Sequence, residues 1–150
     1  MMALPKIDFP NYDPATAQQL AQHGSHAVGG LPGYLGIETV EVGPGRIACQ
    51  LNVRNDLLNP FGVFHGGVVS ALTDHVLGAV LYTVMPRGSW AATTEFKLNL
   101  LAPIRDGVVR AEATIISMTK RTAVVRLDVT NDDRAAAAAQ GTVTIVAPRE

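Results

Sequence analysis

One apolar stretch in the middle of the chain decides the fold. Residues 57–86 have the sequence LLNPFGVFHGGVVSALTDHVLGAVLYTVMP, in which Asp74 is the only formal charge when histidine is counted as neutral. From Gly66 to Thr83 the apolar residues recur around the whole circumference of a helix, so the pattern predicts a helix that is buried on nearly all sides. A membrane span has a similar length, but the internal aspartate and the strand patterns on both sides favour a central helix wrapped by a sheet.

The segments on both sides of this helix carry the pattern of β-strands. Six runs have this character: 37–42, 46–54, 91–101, 108–118, 122–130 and 135–146. On each side of the helix, short breaks separate consecutive runs, as hairpin connections do. The alanines at 135–139 have helical propensity, but they continue directly into strand spacing, so we predict a strand there. The order predicts an α+β domain at residues 35–150, with an antiparallel sheet of about six strands around the helix.

Length, charge and cysteine content narrow the class of protein. The chain has 150 residues, 47% of them hydrophobic and 17% charged, with a formal net charge of −1. This composition indicates one well-buried domain, excludes a disordered chain and offers no basic surface for nucleic acid. A single cysteine forms no internal disulfide, and the prolines and charges before residue 15 do not suit a secretory signal. We expect a soluble cytoplasmic protein that spans no membrane, with residues 1–34 forming an arm that carries a short helix at 14–26.

Two features of the central helix could carry chemistry. A lone carboxylate in a buried helix, here Asp74, is costly unless it is paired, hydrogen-bonded or protonated. It is therefore a candidate catalytic group, or a structural group that bonds a neighbouring hydroxyl or lies at a solvated subunit boundary. The Gly66-Gly67 pair lies where the helix begins, where free N–H groups and the helix dipole could hold a developing oxyanion. The pair could equally be a tight strand-to-helix turn.

The separation of these two features limits how they can combine. Asp74 follows Gly66 by eight residues, which is about 12 Å of helical rise. The two groups of one chain therefore cannot meet at a single carbonyl carbon. If both act, Asp74 must face Gly66 of a second copy across a two-fold axis, and each dimer holds two equivalent sites.

Other chemistries find less support in the sequence. No Gly-x-Ser-x-Gly motif is present for a serine hydrolase, and Cys49 lies on the apolar face of its strand. His65, Asp74 and His75 lack the spacing of metal ligands on a helix. We therefore expect neither a bound metal nor a cofactor.

The segment NPFGVFHGG at 59–67, followed by Leu72-Thr73-Asp74, resembles the hotdog-fold acyl-CoA thioesterases of the phenylacetate-pathway type. The resemblance extends from about residue 35 to 146, through the order hairpin, buried helix and four-stranded meander, and through FKLNLLAP at 96–103. It implies a hotdog fold and a cofactor-free hydrolase of aryl or medium-chain acyl-CoA. It also implies a homodimer, or a homotetramer built from two dimers.

The resemblance assigns roles to individual positions. Asp74 corresponds to the general base or nucleophile, and the N–H of Gly66 corresponds to the oxyanion donor. Asn59 and His65 would shape the loop and orient the thioester. Thr93 occupies the place of a serine or threonine that positions water.

Substrate-binding residues are expected around these groups, in an apolar acyl slot beside the helix and at a cationic surface outside it. They are Gly67, Phe61, Phe64, Leu77, Leu81, Arg87, Lys120 and Arg121. The aromatic and leucine side chains would line the slot, and the cations would contact the phosphates of coenzyme A.

Two alternative functions stay open. An enoyl-CoA hydratase or dehydratase shares the fold, but Leu58 stands where the hydratase motif has an aspartate before Asn59. A non-catalytic acyl-CoA-binding protein would need an output element, and the sequence has no basic helix-turn-helix segment.

Overall fold

The helices and strands follow the predicted order. The structure is a computed structural model and describes residues 3–22 and 29–149. Its elements are α1 (Pro14–Gln22), α2 (Gly30–Leu35), β1 (Glu38–Gly43), β2 (Arg46–Asn52), a 3₁₀ turn (Asn55–Leu57), α3 (Gly66–Ala79), β3 (Trp90–Leu100), β4 (Val108–Met118), β5 (Thr122–Asn131) and β6 (Arg134–Val146). The helix predicted at 14–26 is present as far as Gln22, and the remainder of that prediction falls largely at 23–28, outside the described residues.

Within the described residues, the six strands form one antiparallel sheet in the order β1-β2-β4-β5-β6-β3. β4, β5 and β6 pair with their neighbours in sequence, whereas β3 pairs with β6, from Trp90 opposite Val146 to Leu100 opposite Ala137. β1 and β3 are therefore the two edges of the sheet. The predicted antiparallel sheet around a helix is confirmed.

The sheet and α3 share one apolar core. The inward-facing residues of β4 and β5 alternate with accessible ones, whereas β2 buries Ile47, Ala48 and Cys49 in succession and β6 buries Ala136 and Ala137 before its alternation begins. α3 contributes Val69, Leu72, Val76 and Leu77, all with 2% exposure or less. Burial of each such side chain stabilises the fold by roughly 1.5–3 kcal/mol, so α3 is fixed firmly against the sheet.

α3 differs from its prediction in length and in burial. It ends at Ala79 rather than at Thr83, because tighter i→i+3 hydrogen bonds, such as that from the N–H of Tyr82 to the carbonyl oxygen of Ala79, replace the helical pattern. The predicted burial on nearly all sides is wrong for the single chain. Asp74 and Tyr82 are exposed and Gly78 between them is half-buried, because the sheet leaves one side of the helix uncovered.

Both edges of the sheet approach this uncovered side of α3. Thr39 from β1 and Thr93 from β3 line the same groove as Asp74, although four strands separate β1 from β3 in the sheet order. The sheet therefore curls around α3 and leaves an open seam between its edges. α1 lies against β1 and borders this seam through Thr16 and Leu20.

Candidate active site

The loop that leads into α3 is closed by the side chain of Asn59. Its Oδ1 accepts hydrogen bonds from the backbone N–H groups of Phe61 at 2.9 Å and Val63 at 3.1 Å. Its backbone N–H donates to the carbonyl oxygen of Val63 at 2.7 Å. Asparagine commonly closes turns in this way, and here it fixes the path of the chain to the start of α3.

His65 caps the N-terminus of α3. Its Nδ1 accepts a hydrogen bond from the N–H of Gly67 at 2.8 Å, so the proton of the neutral imidazole lies on Nε2. Its carbonyl oxygen accepts from the N–H groups of Val68 and Val69. Among the hydrogen bonds of residues 3–22 and 29–149, the N–H of Gly66 has no acceptor. The start of α3 therefore presents one free amide donor.

Asp74 and Thr93 lie together in a groove of about 670 Å³. Asp74 projects from α3 and Thr93 from β3, so the structure unites two residues that the sequence proposed for one site. The Asp74 carboxylate is exposed, and within the described part of the chain it has no hydrogen-bond or ion-pair partner. It is therefore available to an incoming molecule.

The helix start and the groove are separate within one chain. Gly66, His65 and Asn59 do not line the groove that holds Asp74. Phe64, just before the helix, borders a different and smaller cavity of about 230 Å³. One chain thus brings Asp74 and Thr93 together, and leaves the free amide elsewhere.

The acyl slot predicted from the sequence requires correction. Leu77 and Leu81 have 0% exposure and belong to the core, Phe64 is 4% exposed, and Phe61 is 85% exposed at the surface. Leu77 lies against Gly141 of β6, whereas α3 turns Asp74, His75, Gly78 and Ala79 toward the open seam. The groove beside Asp74 is lined instead by Thr16, Gln19, Leu20, Pro32, Ile37, Thr39, His75, Gly78, Ala79, Tyr82, Ala91 and Thr93.

Several of these lining residues were missed from the sequence. Gly78 and Tyr82 follow Asp74 at steps of four residues, a signal that places Gly78 on the Asp74 face of α3 and points to Tyr82 in the turns after the helix. Thr16 and Leu20 have the same spacing on α1, behind the Asp13-Pro14 pair that starts this helix. Asp13 accepts hydrogen bonds from the N–H of Ala15 and the hydroxyl of Thr16, an N-cap that the sequence pattern favours.

The predicted cationic residues have different surroundings. Arg87 donates to the Asp13 carboxylate at 2.8 Å, so it ties the arm to the segment after α3. The hydrogen bond from the Thr16 hydroxyl, and more weakly the one from Arg87, hold the pKa of Asp13 below its ordinary value. Lys120 and Arg121 are exposed in the turn between β4 and β5, and their side chains form no ion pair with any described residue.

Protonation of His75 is expected to destabilise the protein in acid. Burial lowers the pKa of His75 from its ordinary 6.5, and the Asp74 carboxylate offsets part of this change. The unfolded chain therefore takes up the proton more readily, so the free energy of unfolding is highest above about pH 6.5 and falls as the pH drops from there through the lowered pKa. Urea unfolding between about pH 5 and pH 8 measures this slope. The glutamine side chain of His75→Gln cannot be protonated, so this variant should show a weaker dependence of the free energy of unfolding on pH. A dependence equal to that of the wild type would contradict the role given to His75.

Three further findings on the described residues concern the Cys49 thiol, metal binding and membrane spanning. Cys49 is fully buried, as predicted, and burial raises the pKa of its thiol to about 11, so the thiol stays protonated at neutral pH. Within the described ranges, 3–22 and 29–149, no three His, Cys, Asp or Glu side chains are grouped closely enough to hold a metal ion. No helix in the same ranges has the length and apolarity needed to cross a bilayer.

The segment that contains Asp74 and Thr93 matches a known family. The profile of the Thioesterase superfamily matches residues 61–138, from the loop before α3 into β6. The chain belongs to the thioesterase superfamily. It is therefore an enzyme of the thioester hydrolase class, and its sheet and central helix form the hotdog fold.

Individual thioesterases show the same relationship. The 1,4-dihydroxy-2-naphthoyl-CoA hydrolase of Listeria monocytogenes is 32% identical over 103 residues, which cover 69% of this chain and 84% of that enzyme. Human acyl-coenzyme A thioesterase 13 is 26% identical over 106 residues, or 70% and 75% of the two chains. The structure of a variant of the phenylacetic acid degradation protein PaaI from Thermus thermophilus superposes with a TM-score of 0.68 at 27% identity, over 75% of this thioesterase and 95% of PaaI. The resemblance predicted from the sequence is confirmed.

Proposed function

We propose that this thioesterase hydrolyses aryl or medium-chain acyl-CoA at a site shared between two copies of the chain. One observation carries the proposal. The free N–H of Gly66 and the unpartnered carboxylate of Asp74 are separated by about 12 Å along α3, and Gly66 does not line the groove that holds Asp74. Asp74 can act as the base and the Gly66 amide as the oxyanion donor, but one chain does not bring them to the same thioester. In a dimer, each copy supplies the group that the other lacks at a given site.

The open edge of β3 supports a particular dimer. β3 is 11 residues long, and its outer edge has no partner strand in the described chain. Such an edge is a template for pairing with another strand. A second copy of β3 is the partner that a two-fold axis provides.

The register of such a pair follows from the positions of two residues along β3. Thr93 lies beside Asp74 in the groove, and Leu100 lies beside Gly66, since a Cβ added to Gly66 would be 2.9 Å from the Leu100 Cδ1. Antiparallel pairing with Thr93 opposite the second copy's Leu100 therefore brings Asp74 of one chain toward Gly66 of the other.

The reaction follows from this arrangement. Asp74 takes a proton from a water molecule that Thr93 helps to orient, and the water oxygen attacks the thioester carbon. The N–H of Gly66 from the second copy donates to the carbonyl oxygen as its negative charge develops. The tetrahedral intermediate then expels the thiolate of coenzyme A, which recovers the proton from Asp74. Direct attack by the Asp74 carboxylate is the other route that the same geometry permits.

The remaining site residues position these groups. Asn59 and His65 hold the loop and the helix start that present the Gly66 amide, with Gly67 beside it. A positioned base contributes about 10²–10⁴-fold and an oxyanion donor about 10²–10³-fold, and a thioester is already electrophilic. Lys120 and Arg121, exposed and without ion pairs in the described residues, are available for the phosphates of coenzyme A.

Thiol release tests the proposed reaction. The purified protein is incubated with phenylacetyl-, benzoyl- and straight-chain acyl-CoA, and free coenzyme A is measured with a thiol reagent. We expect release from aryl or medium-chain substrates and no hydration of crotonyl-CoA. Tight acyl-CoA binding without thiol release would identify a binding protein instead, and hydration of crotonyl-CoA would identify a hydratase.

The mass in solution tests the shared site. We expect the 15.9 kDa chain to form a homodimer, or a homotetramer of two dimers, in light scattering at assay concentrations. An active monomer would contradict the proposal.

A further inference from the structure

A stripe of three residues runs along the floor of the groove. Asp74, Gly78 and Tyr82 are spaced four residues apart and all line it. Asp74 and Gly78 lie on one face of α3, and Tyr82 lies in the turns that follow the helix, so the three mark a continuous path along the groove from the carboxylate to the phenol ring. Gly78 is the low point of this path because it has no side chain.

The walls beside this path are mainly apolar and come from several elements. They include Leu20 of α1, Pro32 of α2, Ile37 before β1, Ala79 of α3 and Ala91 of β3. Thr93 and His75 lie nearer the carboxylate. The path thus joins a polar end, where the carbonyl carbon would react, to an apolar section that would hold a hydrocarbon group.

The fold itself gives no reason for glycine at position 78. Gly78 lies inside α3, its backbone is outside the left-handed region, and a Cβ added there would be 3.8 Å from the Ala91 Cβ, an ordinary contact. Alanine is also a better helix former than glycine. A side chain at 78 would start beside Ala91, which lines the same groove between Asp74 and Tyr82.

We propose that Gly78 determines which acyl groups the enzyme accepts. The acyl group runs from Asp74 across Gly78 toward Tyr82, and the size of the side chain at position 78 limits its length. This inference rests on the proposed hydrolysis of acyl-CoA, and assigns the acyl-binding part of that site.

The test compares Gly78→Ala and Gly78→Leu with the wild type on octanoyl-CoA and acetyl-CoA. The acetyl group ends before it reaches residue 78, whereas the octanoyl group crosses it. We expect Gly78→Ala to lower the ratio of kcat/KM for octanoyl-CoA to that for acetyl-CoA by about 10-fold, as one misplaced methylene does in an apolar pocket. Gly78→Leu should lower this ratio further.

A glycine outside the groove provides the matched control. Gly43 in β1 has a backbone outside the left-handed region, and a Cβ added there would meet nothing within 4 Å. Gly43→Leu should leave the octanoyl-to-acetyl ratio at the wild-type value. Thermal unfolding of Gly78→Ala, expected at or above the wild-type temperature, separates a change of selectivity from a loss of fold.

The outcomes separate the two proposals. If the wild type hydrolyses octanoyl-CoA and both Gly78 variants keep its ratio, the acyl path is wrong and the hydrolase assignment stands. If Gly78→Leu fails to fold, the octanoyl-to-acetyl ratio of kcat/KM in Gly78→Ala alone tests the acyl path. If the wild type releases coenzyme A from no acyl-CoA, the proposed function fails and the acyl path fails with it.

Discussion

Asp74→Asn is expected to lower kcat for acyl-CoA hydrolysis by about 10²–10⁴-fold, the usual contribution of a positioned general base. Asparagine has nearly the same size and shape, but its amide cannot accept a proton from water. The Asp74 side chain is exposed and forms no hydrogen bond with a described residue. Its replacement should therefore change the free energy of unfolding by no more than about 0.5 kcal/mol.

The experiment measures kcat and KM by thiol release, together with the melting temperature and the mass in solution. Asp128→Asn is the matched control, because Asp128 is an exposed carboxylate on the outer side of β5, paired with Arg126 at 3.5 Å. The control should keep wild-type kcat. Wild-type kcat in Asp74→Asn would exclude Asp74 as the catalytic base, and a loss of activity that accompanies unfolding would make Asp74 a structural residue.

The strands were predictable because their two faces meet different environments. In β4, β5 and β6 the inward positions are apolar and the outward positions are largely polar. The alternation of apolar and polar residues in the sequence therefore matches the alternation of side chains between the two faces of the sheet. Even the alanines after residue 134 form a strand, since pairing with β3 and β5 outweighs their helical propensity.

The end of α3 was not predictable from the same kind of pattern. Val80, Leu81, Val84 and Met85 are all buried, although the helix ends at Ala79. The turns after the helix pack into the core as the helix does, so apolar periodicity continues across the boundary. Only the hydrogen-bond pattern, which the sequence does not display, changes there.

The candidate site was predictable in its polar groups and not in its apolar lining. Asp74 stood out as the only formal charge in an apolar helix, whereas Thr93 was assigned by the family resemblance, and the two share one groove. The sequence shows which residues share a face of α3, but it does not show which face the sheet covers. Leu77 was therefore assigned to a slot although it fills the core, and Gly78 beside it was passed over.

Gly66→Pro is expected to lower kcat by about 10²–10³-fold relative to Gly66→Ala, which is the effect of removing one oxyanion donor. Gly66 is the first residue of α3, where proline is well tolerated because the N–H makes no intrahelical bond. His65 before it is extended, with φ −64° and ψ 129°, as a residue that precedes proline prefers. Both variants add a Cβ at 2.9 Å from the Leu100 Cδ1, so this contact is shared, whereas proline alone replaces the amide hydrogen with a ring carbon and loses the donor.

Gly66→Pro and Asp74→Asn together test whether the site is shared between two chains. A hybrid dimer of the two variants holds one site with an intact carboxylate and an intact amide, and one site with neither. Random pairing of equal amounts makes half of the dimers hybrids, so co-refolded protein should recover about a quarter of wild-type activity from two nearly inactive parents. If both groups acted within a single chain, every site in the hybrid would carry one lesion and activity would stay at the parental level. Recovery therefore requires that the carboxylate of one subunit and the amide of the other act on the same thioester.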